Sequence, residues 1–263
     1  MVRFIQGGQL GKIMLKYGWK GWLNMKESLE KLIQWVREAR RIVFFGGAGV
    51  STESGIPDFR GVDGLYRQKY AYPPETILSH DFFVRKTEEF YRFYREKILI
   101  TDALPNAAHK KLAQWEQEGK LSAVVTQNID GLHQAAGSKK VFELHGSILR
   151  NYCMDCGKFY DAAYIQQTGG VPRCSCGGVI KPDVVLYQES LDQDCIMGAI
   201  HAIASADLLI IGGTSLSVYP AASFIDEYRG KRMVLVNKSA TPRDDRADLI
   251  LRDPIGEVFV QLP

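Results

Sequence analysis

RIVFFGGAGVSTESGIPDFRG, residues 41–61, joins an apolar run directly to a glycine-rich turn. A buried strand followed by glycines is typical of turns that bring backbone N–H groups close to phosphate. Thr52 stands where the G-x-G-x-x-G dinucleotide pattern has its third glycine, and a polar PDFR segment follows at once. The stretch predicts a nucleotide-binding turn, with a tight strand-to-helix turn without a ligand as the open alternative.

Outside this stretch, strand-like and helix-like segments alternate along the chain. Strands are predicted at 41–45, 121–127, 141–144, 207–212, 232–237 and 248–252, and helices at 26–40, 81–99, 106–119, 191–205 and 220–229. This alternation predicts an α/β fold, a Rossmann-like doubly wound parallel sheet.

Two segments do not fit the alternation and are expected to form a smaller lobe. We expect residues 61–100 to be a helical insert and residues 149–180 to be a zinc-binding insert. The Rossmann-like, nucleotide-binding domain then comprises residues 25–60, 101–148 and 181–263.

Composition and charge give no reason to expect a specific nucleic acid or a membrane as partner. The net charge of +3 is spread over 263 residues, and no apolar run reaches the roughly 18 residues of a spanning helix. Residues 1–24 are basic and glycine-rich, and we expect a disordered extension before an amphipathic helix that opens at Met25. A basic membrane-binding arm is the less favoured alternative. Without a secretory signal, the expected location is cytoplasmic.

Four of the five cysteines form two close pairs, Cys153-x-x-Cys156 and Cys174-x-Cys176. In a reducing compartment such pairs bind metal more often than they form disulfides. Four thiolates complete the tetrahedral shell of one Zn²⁺ and leave no position for a reacting water. The pattern therefore predicts one structural zinc ion, with Cys195 as an ordinary buried thiol outside it.

Small and hydrogen-bonding residues follow the predicted strands, where a doubly wound sheet binds its ligands. They are Gly47, Ala48, Gly49, Ser51, Gln127, Asn128, Ile129, Asp130, His145, Gly213, Thr214, Ser215 and Asn237. Together they predict a dinucleotide crevice that contains one imidazole. Singly they are weaker signals, because the Gly213 segment suits a helix cap and His145 suits a turn. The histidines at positions 80, 109, 133 and 201 are expected to be structural.

Taken together, these residues resemble the sirtuin family of NAD-dependent protein lysine deacylases. The matching motifs span about residues 26–255 in order: GAGVSTESGIPDFRG, TQNIDGLH, ELHGS, the two cysteine pairs, IKPDVVLYQE, GTSLSVYPAA and LVNK. The resemblance implies an NAD-dependent protein lysine deacetylase that consumes NAD and releases nicotinamide and O-acetyl-ADP-ribose. Proteins or peptides that carry acetyl-lysine are then the expected partners.

The resemblance also implies roles for individual residues. His145 is expected to be the general base, beside Asn128 and Asp130 at the nicotinamide and ribose pocket. A flexible loop over the reacting sugar is expected to contain Asp58, Phe59 and Arg60, with Phe59 shielding the sugar from water. Further expected contacts are Gln127 at the ribose hydroxyls, Gly213, Thr214, Ser215 and Asn237 on the adenosine side, and Val184, Val185, Leu186 and Tyr187 along an extended substrate peptide.

The chain departs from the family pattern in two places, and a third position bears on acyl preference. The second cysteine pair is C-x-C where C-x-x-C is usual, and Gln188 stands where glycine is usual. Sirtuins that prefer succinyl or malonyl groups carry Tyr-x-x-Arg, where this chain has Tyr91-x-x-Tyr94 and an arginine one residue late, Arg95. Without that cation to hold a carboxylate, we expect acetyl or other uncharged acyl groups.

Two other functions stay open at this point. A mono-ADP-ribosyltransferase would use the same scaffold but pass the sugar to a protein nucleophile. A non-catalytic NAD-binding module would need no base, so the presence of His145, Asn128 and Asp130 together favours the deacetylase.

Overall fold

The computed structural model describes residues 7–59, 61, 64–67 and 70–263, and its strands form two sheets. In chain order the strands are β1 (Ile42–Gly46), β2 (Leu121–Thr126), β3 (Val141–Glu143), β4 (Gly146–Cys153), β5 (Phe159–Asp161), β6 (Ile180–Val184), β7 (Leu208–Gly212), β8 (Met233–Val236) and β9 (Leu249–Leu251). The larger sheet has the order β3-β2-β1-β7-β8-β9 and the smaller one β5-β4-β6.

The larger sheet is parallel at every pairing among the described residues. Its chain runs outward from β1 to β3 and then returns to build β7 to β9 on the other side of β1. The order is therefore the 3-2-1-4-5-6 arrangement of a Rossmann-like sheet, whose direction switches between β1 and β7. Every residue of β1, β7 and β8 is buried, as expected for central strands with helices on both faces.

The helices cover both faces of this sheet or build the smaller lobe. In chain order they are α1 (Gly7–Glu38), α2 (Pro74–Ile77), α3 (His80–Arg85), α4 (Thr87–Phe93), α5 (Ala107–Gln117), α6 (Leu132–Ala135), α7 (Ala162–Gln167), α8 (Gln193–Ser205) and α9 (Ile255–Phe259). Leu32 of α1 and Trp115 of α5 pack on one face, and Ala199 and Ile203 of α8 pack on the other. The predicted α/β doubly wound fold is confirmed. Within the described residues, no helix is long and apolar enough to cross a membrane.

A capping contact fixes α5 against the glycine turn that follows β1. The Asn106 side chain accepts from the backbone N–H groups of Ala108 and His109, which satisfies donors left free at a helix start. Its amide nitrogen donates to the carbonyl of Val50 at 2.8 Å and to the Ser54 hydroxyl at 3.0 Å. One asparagine therefore begins the helix and holds the turn in place.

The smaller lobe combines the antiparallel sheet with an aromatic cluster. Phe83, Phe90, Tyr91 and Tyr94 are almost completely buried there and pack edge-on or stacked against one another. Its sheet reaches from Gly146 to Val184, wider than the expected insert at 149–180. Since β4 pairs with β6 close to both of its ends, the residues that flank the insert are drawn into the lobe.

Three element predictions need correction. The first helix begins at Gly7, well before Met25, so residues 7–24 are helical where a disordered extension was expected; residues 1–6 lie outside the described part of the chain. No proline interrupts residues 7–38 to end the helix. The segment 220–229 forms a 3₁₀ helix, Ala221–Glu227, in place of an α-helix.

The long helix expected over 81–99 is broken into α3, α4 and a π-helical turn at Tyr94–Ile98. The break is at Lys86, whose φ of −135° and ψ of 48° are not helical. Lys86 donates to the Tyr72 hydroxyl and to Glu89, and the Thr87 hydroxyl donates back to the Phe83 carbonyl. These side-chain bonds compete with the helical pattern, which the apolar periodicity alone does not reveal.

Candidate active site

The residues that follow β1, β2, β7 and β8 meet in one cavity of about 880 Å³. It lies at the carboxyl edge of the larger sheet, around the switch between β1 and β7, where such folds bind ligands. Its volume is within the range of sites for small molecules and cofactors. Every predicted site residue outside the cysteine cluster lines this cavity, except Arg60, which lies outside the described residues.

The glycines after β1 and β7 permit two loops to touch. The Gly49 N–H donates to the Gly213 carbonyl at 2.8 Å, and a Cβ on Gly49 would stand 2.8 Å from the Gly213 Cα. Gly213 itself has a φ of 58°, a backbone angle that residues with a side chain rarely adopt. Because these glycines leave no side chain between the loops, the turn is open to close approach by a ligand.

Thr52 replaces the third glycine because the turn does not lead into an α-helix. The chain forms two short 3₁₀ turns, Ala48–Val50 and Thr52–Ser54, and the Thr52 hydroxyl donates to the Gly49 carbonyl at 3.0 Å. Pro57, Asp58 and Phe59 then follow without an α-helix. This geometry explains why the opening motif starts like a dinucleotide fingerprint and ends differently.

Ser51 joins the two polar residues after β2. Its hydroxyl donates to a carboxylate oxygen of Asp130 at 2.6 Å and accepts from the amide nitrogen of Asn128 at 3.0 Å. The other Asp130 oxygen accepts from the Leu132 N–H at the start of α6. Ser51 and Asn128 are buried, so the network fixes the orientation of all three side chains at the cavity wall.

His145 is held in one orientation by the backbone. Its Nδ1 lies 3.0 Å from the Gln127 carbonyl oxygen, which can only accept, so Nδ1 carries a proton and donates. The neutral ring then has its lone pair on Nε2. Burial lowers the pKa of His145, and the hydrogen bond to Gln127 opposes that effect. The imidazole is therefore neutral near pH 7 and ready to accept a proton.

Further polar residues connect the β2 and β7 loops. The Gln127 amide nitrogen donates to the Thr214 hydroxyl at 3.0 Å, and that hydroxyl also accepts from the Leu216 N–H. Beyond β8, the Asn237 side chain donates to the Ser239 carbonyl at 2.8 Å. Ser215 lines the cavity on the same side.

The segment after Pro57 forms a second wall of the cavity. Asp58 accepts from the Gly61 N–H at 2.8 Å through one carboxylate oxygen. The Phe59 ring packs edge-on against Tyr66, with 5.5 Å between ring centroids. The Phe59 carbonyl also accepts from the Tyr66 N–H at 2.9 Å. Phe59 is thus held at the cavity by contacts with Tyr66, from further along the chain, and with the buried cluster of the smaller lobe.

The predicted substrate edge, Val184 to Tyr187, lines the same cavity as the glycine turn. The Val185 N–H donates to the His145 carbonyl at 3.1 Å, which places the edge next to the imidazole. Gly146 connects the two, and a Cβ there would overlap the Asp183 carbonyl at 1.9 Å. Only glycine fits between the histidine and this edge.

The four predicted metal ligands come together in the smaller lobe. All four Sγ atoms lie within 4.8 Å of one another, and three of the pairs are at 3.5 Å. Tetrahedral zinc with Zn–S bonds of about 2.3 Å requires sulfur separations of about 3.8 Å, whereas a disulfide requires about 2.0 Å. The thiols therefore fit a zinc ion, and the tighter C-x-C pair does not prevent it.

The cysteine cluster lies outside the cavity lining. None of its cysteines is among the described residues that line the cavity. The Tyr160 hydroxyl donates to the Cys174 Sγ at 3.1 Å, a contact of the kind that orients metal ligands. Four sulfur ligands leave no open position, so a zinc ion here stabilises the lobe.

Comparison with known proteins agrees with this geometry. A family model described as the Sir2 family matches residues 47–220. The chain belongs to the Sir2 family. An NAD-dependent protein deacetylase of Clostridium perfringens is 58% identical over 239 residues, 89% of this chain and 98% of the relative. One from Staphylococcus aureus is 42% identical over 242 residues, 90% of this chain and 99% of the relative.

Solved structures show the same fold. A Sir2 structure with a deacetylated p53 peptide and 3′-O-acetyl ADP ribose has a TM-score of 0.82 and 41% identity, and the match covers 89% of this chain and 96% of that one. A Sir2 complex with a p53 peptide and NAD⁺ has a TM-score of 0.79 and 40% identity at the same coverage.

Gln188, where Sir2 proteins typically have glycine, has a φ of 77°. That left-handed conformation explains the usual glycine, because other residues adopt it only at an energetic cost. The Gln188 side chain accepts from the Asp81 N–H at 3.0 Å, at the start of α3. This contact compensates part of the cost and ties the loop to the helical insert.

The acyl-preference positions of this Sir2 chain point away from the cavity. Arg95 donates to the carbonyls of Ile165 and Gly170 in the smaller lobe, and the Tyr91 hydroxyl donates to the Ile180 carbonyl. Tyr94 is completely buried. None of these three side chains lines the cavity among the described residues, so they form no clamp for a carboxylate.

Several cavity residues were missed by sequence reasoning. They include Gly55, Ile56 and Pro57; Tyr66; Lys97, Ile98 and Ile100; Val218 and Tyr219. The first and last of these groups lie inside the motifs GAGVSTESGIPDFRG and GTSLSVYPAA, which were usable signals. Lys97 and Ile98 lie in the π-helical turn Tyr94–Ile98 and Ile100 follows it, a feature that the residue pattern does not indicate.

Proposed function

We propose that this chain is an NAD-dependent protein lysine deacetylase in which His145 is the general base. The observation that carries the proposal is the orientation of His145, whose Nδ1 is fixed by the Gln127 carbonyl in the same cavity as the Ser51, Asn128 and Asp130 network. NAD is the consumed co-substrate, and when bound it supplies the ribose carbon that accepts the acyl oxygen. The curated relatives carry the same activity in their names.

The glycine turn fits the phosphates and the adjoining ribose of NAD. Gly47, Gly49 and Gly213 form a cradle without side chains, where an added Cβ would meet backbone or Thr214 atoms at about 2.3–2.9 Å. The N–H groups of these glycines donate to backbone carbonyls, so what the cradle offers the phosphates is room for close approach to the backbone. Across the cavity, Phe59 presents an aromatic face that keeps water from the reacting sugar.

Asn128 and Asp130 orient the nicotinamide end, because Ser51 holds both side chains in place. His145 accepts a proton at Nε2 from a ribose hydroxyl, which makes that hydroxyl a nucleophile toward the transferred acyl group. Its lowered pKa keeps the ring neutral through the pH range where such a base is useful. Gln127 makes two contacts in the cavity. Its backbone carbonyl fixes His145, and its side-chain amide donates to the Thr214 hydroxyl.

The substrates we propose are proteins or peptides with lysines that carry acetyl or other uncharged acyl groups. The edge from Val184 to Tyr187 is next to His145 and suits an extended peptide. Uncharged acyl groups are favoured because Tyr91, Tyr94 and Arg95 are used inside the smaller lobe. The cytoplasmic location and the lack of nucleic-acid or membrane partners stay predictions from the sequence.

The test is product analysis with NAD and an acetyl-lysine peptide. We expect mass spectrometry to find nicotinamide, deacetylated peptide and O-acetyl-ADP-ribose, with loss of at least about a hundredfold in rate for His145→Ala. His201→Ala is the matched control, because His201 is exposed and outside the cavity wall. A protein covalently modified with ADP-ribose, without the acetylated sugar, would instead support the ADP-ribosyltransferase. Equal rates in His145→Ala and the wild type would overturn the assignment of the base.

A further inference from the structure

The substrate edge is rigidly attached to the helical insert. The Tyr187 N–H donates to the Leu78 carbonyl at 3.0 Å, and the Tyr187 carbonyl accepts from the His80 N–H at 2.9 Å. Two residues further on, the Glu189 carboxylate accepts from the Leu186 N–H at 2.9 Å and from the Lys181 ammonium at 3.0 Å. The backbone of Tyr187 is therefore fixed on both sides, and its side chain has a defined direction.

The Tyr187 side chain contacts the wall that carries Phe59. Its hydroxyl oxygen lies 2.7 Å from the hydroxyl oxygen of Tyr66, a hydrogen bond in which either group donates. Tyr66 belongs to a 3₁₀ turn, Leu65–Arg67, and both tyrosines line the cavity. Tyr187 is about one third exposed, at 37%, so a peptide laid along the edge would reach it.

Tyr66 is in turn the residue that positions Phe59. The Tyr66 N–H donates to the Phe59 carbonyl at 2.9 Å, and the centroids of the two rings lie 5.5 Å apart. The preceding N–H, of Leu65, donates to the Asp58 carbonyl at 2.9 Å. A continuous set of contacts thus runs from the substrate edge through the two hydroxyls to the aromatic ring over the cofactor side of the cavity.

We propose that Tyr66 and Tyr187 are positioning residues that couple the binding of acyl-peptide to the placement of Phe59 over the cofactor side. This inference rests on the proposed function, because it assigns the peptide to the Tyr187 edge and the dinucleotide to the Phe59 wall. A peptide that immobilises the Tyr187 ring strengthens its bond to Tyr66, and Tyr66 then holds Phe59 in place. The two ligands consequently bind more tightly together than singly, and the coupling is reciprocal.

A single hydrogen bond limits the size of the effect. Such bonds contribute modestly to stability in proteins, so removing this one should reduce the coupling by about three- to tenfold. Either Tyr66→Phe or Tyr187→Phe removes the bond while keeping the ring. The double variant should lose no more than one single variant, since both singles break the same bond.

The experiment measures the dissociation constant of an acetyl-lysine peptide by calorimetry, with and without saturating ADP-ribose, which cannot turn over. We expect ADP-ribose to lower the peptide dissociation constant of the wild type. The factor by which ADP-ribose lowers it should itself fall by about three- to tenfold in Tyr66→Phe, in Tyr187→Phe and in the double variant. The constant for peptide alone should stay within about twofold in Tyr66→Phe, because Tyr66 lies outside the peptide edge. Tyr72→Phe is the matched control, because the Tyr72 hydroxyl pairs with Lys86 away from this contact.

The outcomes separate the inference from the proposed function. If the wild type binds neither peptide nor ADP-ribose, the proposed function fails and the coupling with it. If both bind, three results would overturn the coupling alone. The first is a wild type whose peptide dissociation constant ADP-ribose leaves unchanged. The second is an effect of ADP-ribose that is the same in the wild type and in the Tyr66→Phe and Tyr187→Phe variants. The third result is an equal loss of the effect in Tyr72→Phe. A double variant that loses the product of the two single effects also contradicts it, because the residues would then act separately.

Discussion

The cavity at the edge of the larger sheet and the cysteine cluster of the smaller lobe are held together by different means. Around the cavity, strands buried on both faces support loops whose polar groups bond one another, with Ser51 at the centre. Around the cysteines, two of the four ligands and the neighbouring Met154 and Phe159 are exposed. The cavity therefore depends on packing and hydrogen bonds, whereas the outer half of the cysteine region, with Cys156 and Cys176, depends on its metal.

The two regions are nonetheless joined by two strands. β4 runs from beside His145 to Cys153, and β6 ends at Val184, where the substrate edge begins. Loss of the metal should therefore disturb the base and the substrate edge more than the glycine turn.

The largest effect should come from Cys156→Ser, which removes one zinc ligand. We expect the zinc content to fall and deacetylation to drop by about tenfold or more, because β4, which begins beside His145, loses the anchor at its Cys153 end. NAD binding should weaken much less, since the glycine turn belongs to the other region. Metal analysis, activity and calorimetry on one preparation check this. Cys195→Ser is the control. Equal zinc content and equal activity in the two variants would contradict the comparison.

The second largest effect should come from Gly49→Ala, which changes the cavity wall and leaves the smaller lobe unaltered. The new methyl would stand 2.8 Å from the Gly213 backbone, so we expect NAD binding to weaken by about tenfold or more and stability to fall by about 1–3 kcal/mol. Zinc content should not change. Gly169→Ala is the matched control, because nothing lies within 4 Å of its added methyl. Unchanged NAD affinity would show that the two loops separate easily.

A smaller effect concerns pH and the buried histidines beneath the cavity. Burial lowers the pKa of His109 to about 4, opposed by the charge of Asp130, while the unfolded value is about 6.5. Below pH 6.5 the unfolded chain binds the proton first, so stability is fully present above that pH and declines as pH falls toward 4. His109 alone should reduce the free energy of unfolding by about 2 kcal/mol between pH 7 and pH 5.

Chemical denaturation at the two pH values measures this loss, with zinc retention followed in parallel to separate acid effects on the thiolates. His109→Gln should show a shallower dependence on pH, since glutamine does not titrate. A dependence as steep as that of the wild type would mean that the decline comes from another group.

The smallest effect is expected at Gln188, on the boundary between the two regions. Gln188→Gly relieves the left-handed strain but loses the bond to the Asp81 N–H, and these contributions of about 1 kcal/mol each should nearly cancel. Gln188→Ala keeps the strain and loses the bond, so it should be less stable than the wild type by about 1 kcal/mol. Thermal unfolding of both variants checks the order, and a more stable alanine variant would contradict it.

The two regions also differ in how well the sequence predicts them. Strand ends, the glycine turn and the cysteine pairs follow from local pattern, and the doubly wound parallel fold and the cysteine cluster are confirmed. The break at Lys86 and the reach of the small sheet to Gly146 were not predicted, because the first depends on side-chain bonds and the second on strand pairing between distant segments. Likewise, Ser51 was expected at the site, but its role as the link between Asn128 and Asp130 is visible only in three dimensions.

The most direct test of the central claim is a crystal structure of this chain with NAD and an acetyl-lysine peptide. We predict that the His145 Nε2 lies within about 2.6–3.2 Å of a hydroxyl of the nicotinamide ribose, with Nδ1 still on the Gln127 carbonyl. A dinucleotide bound with that ribose beyond the reach of His145, or an imidazole rotated away from it, would contradict the account.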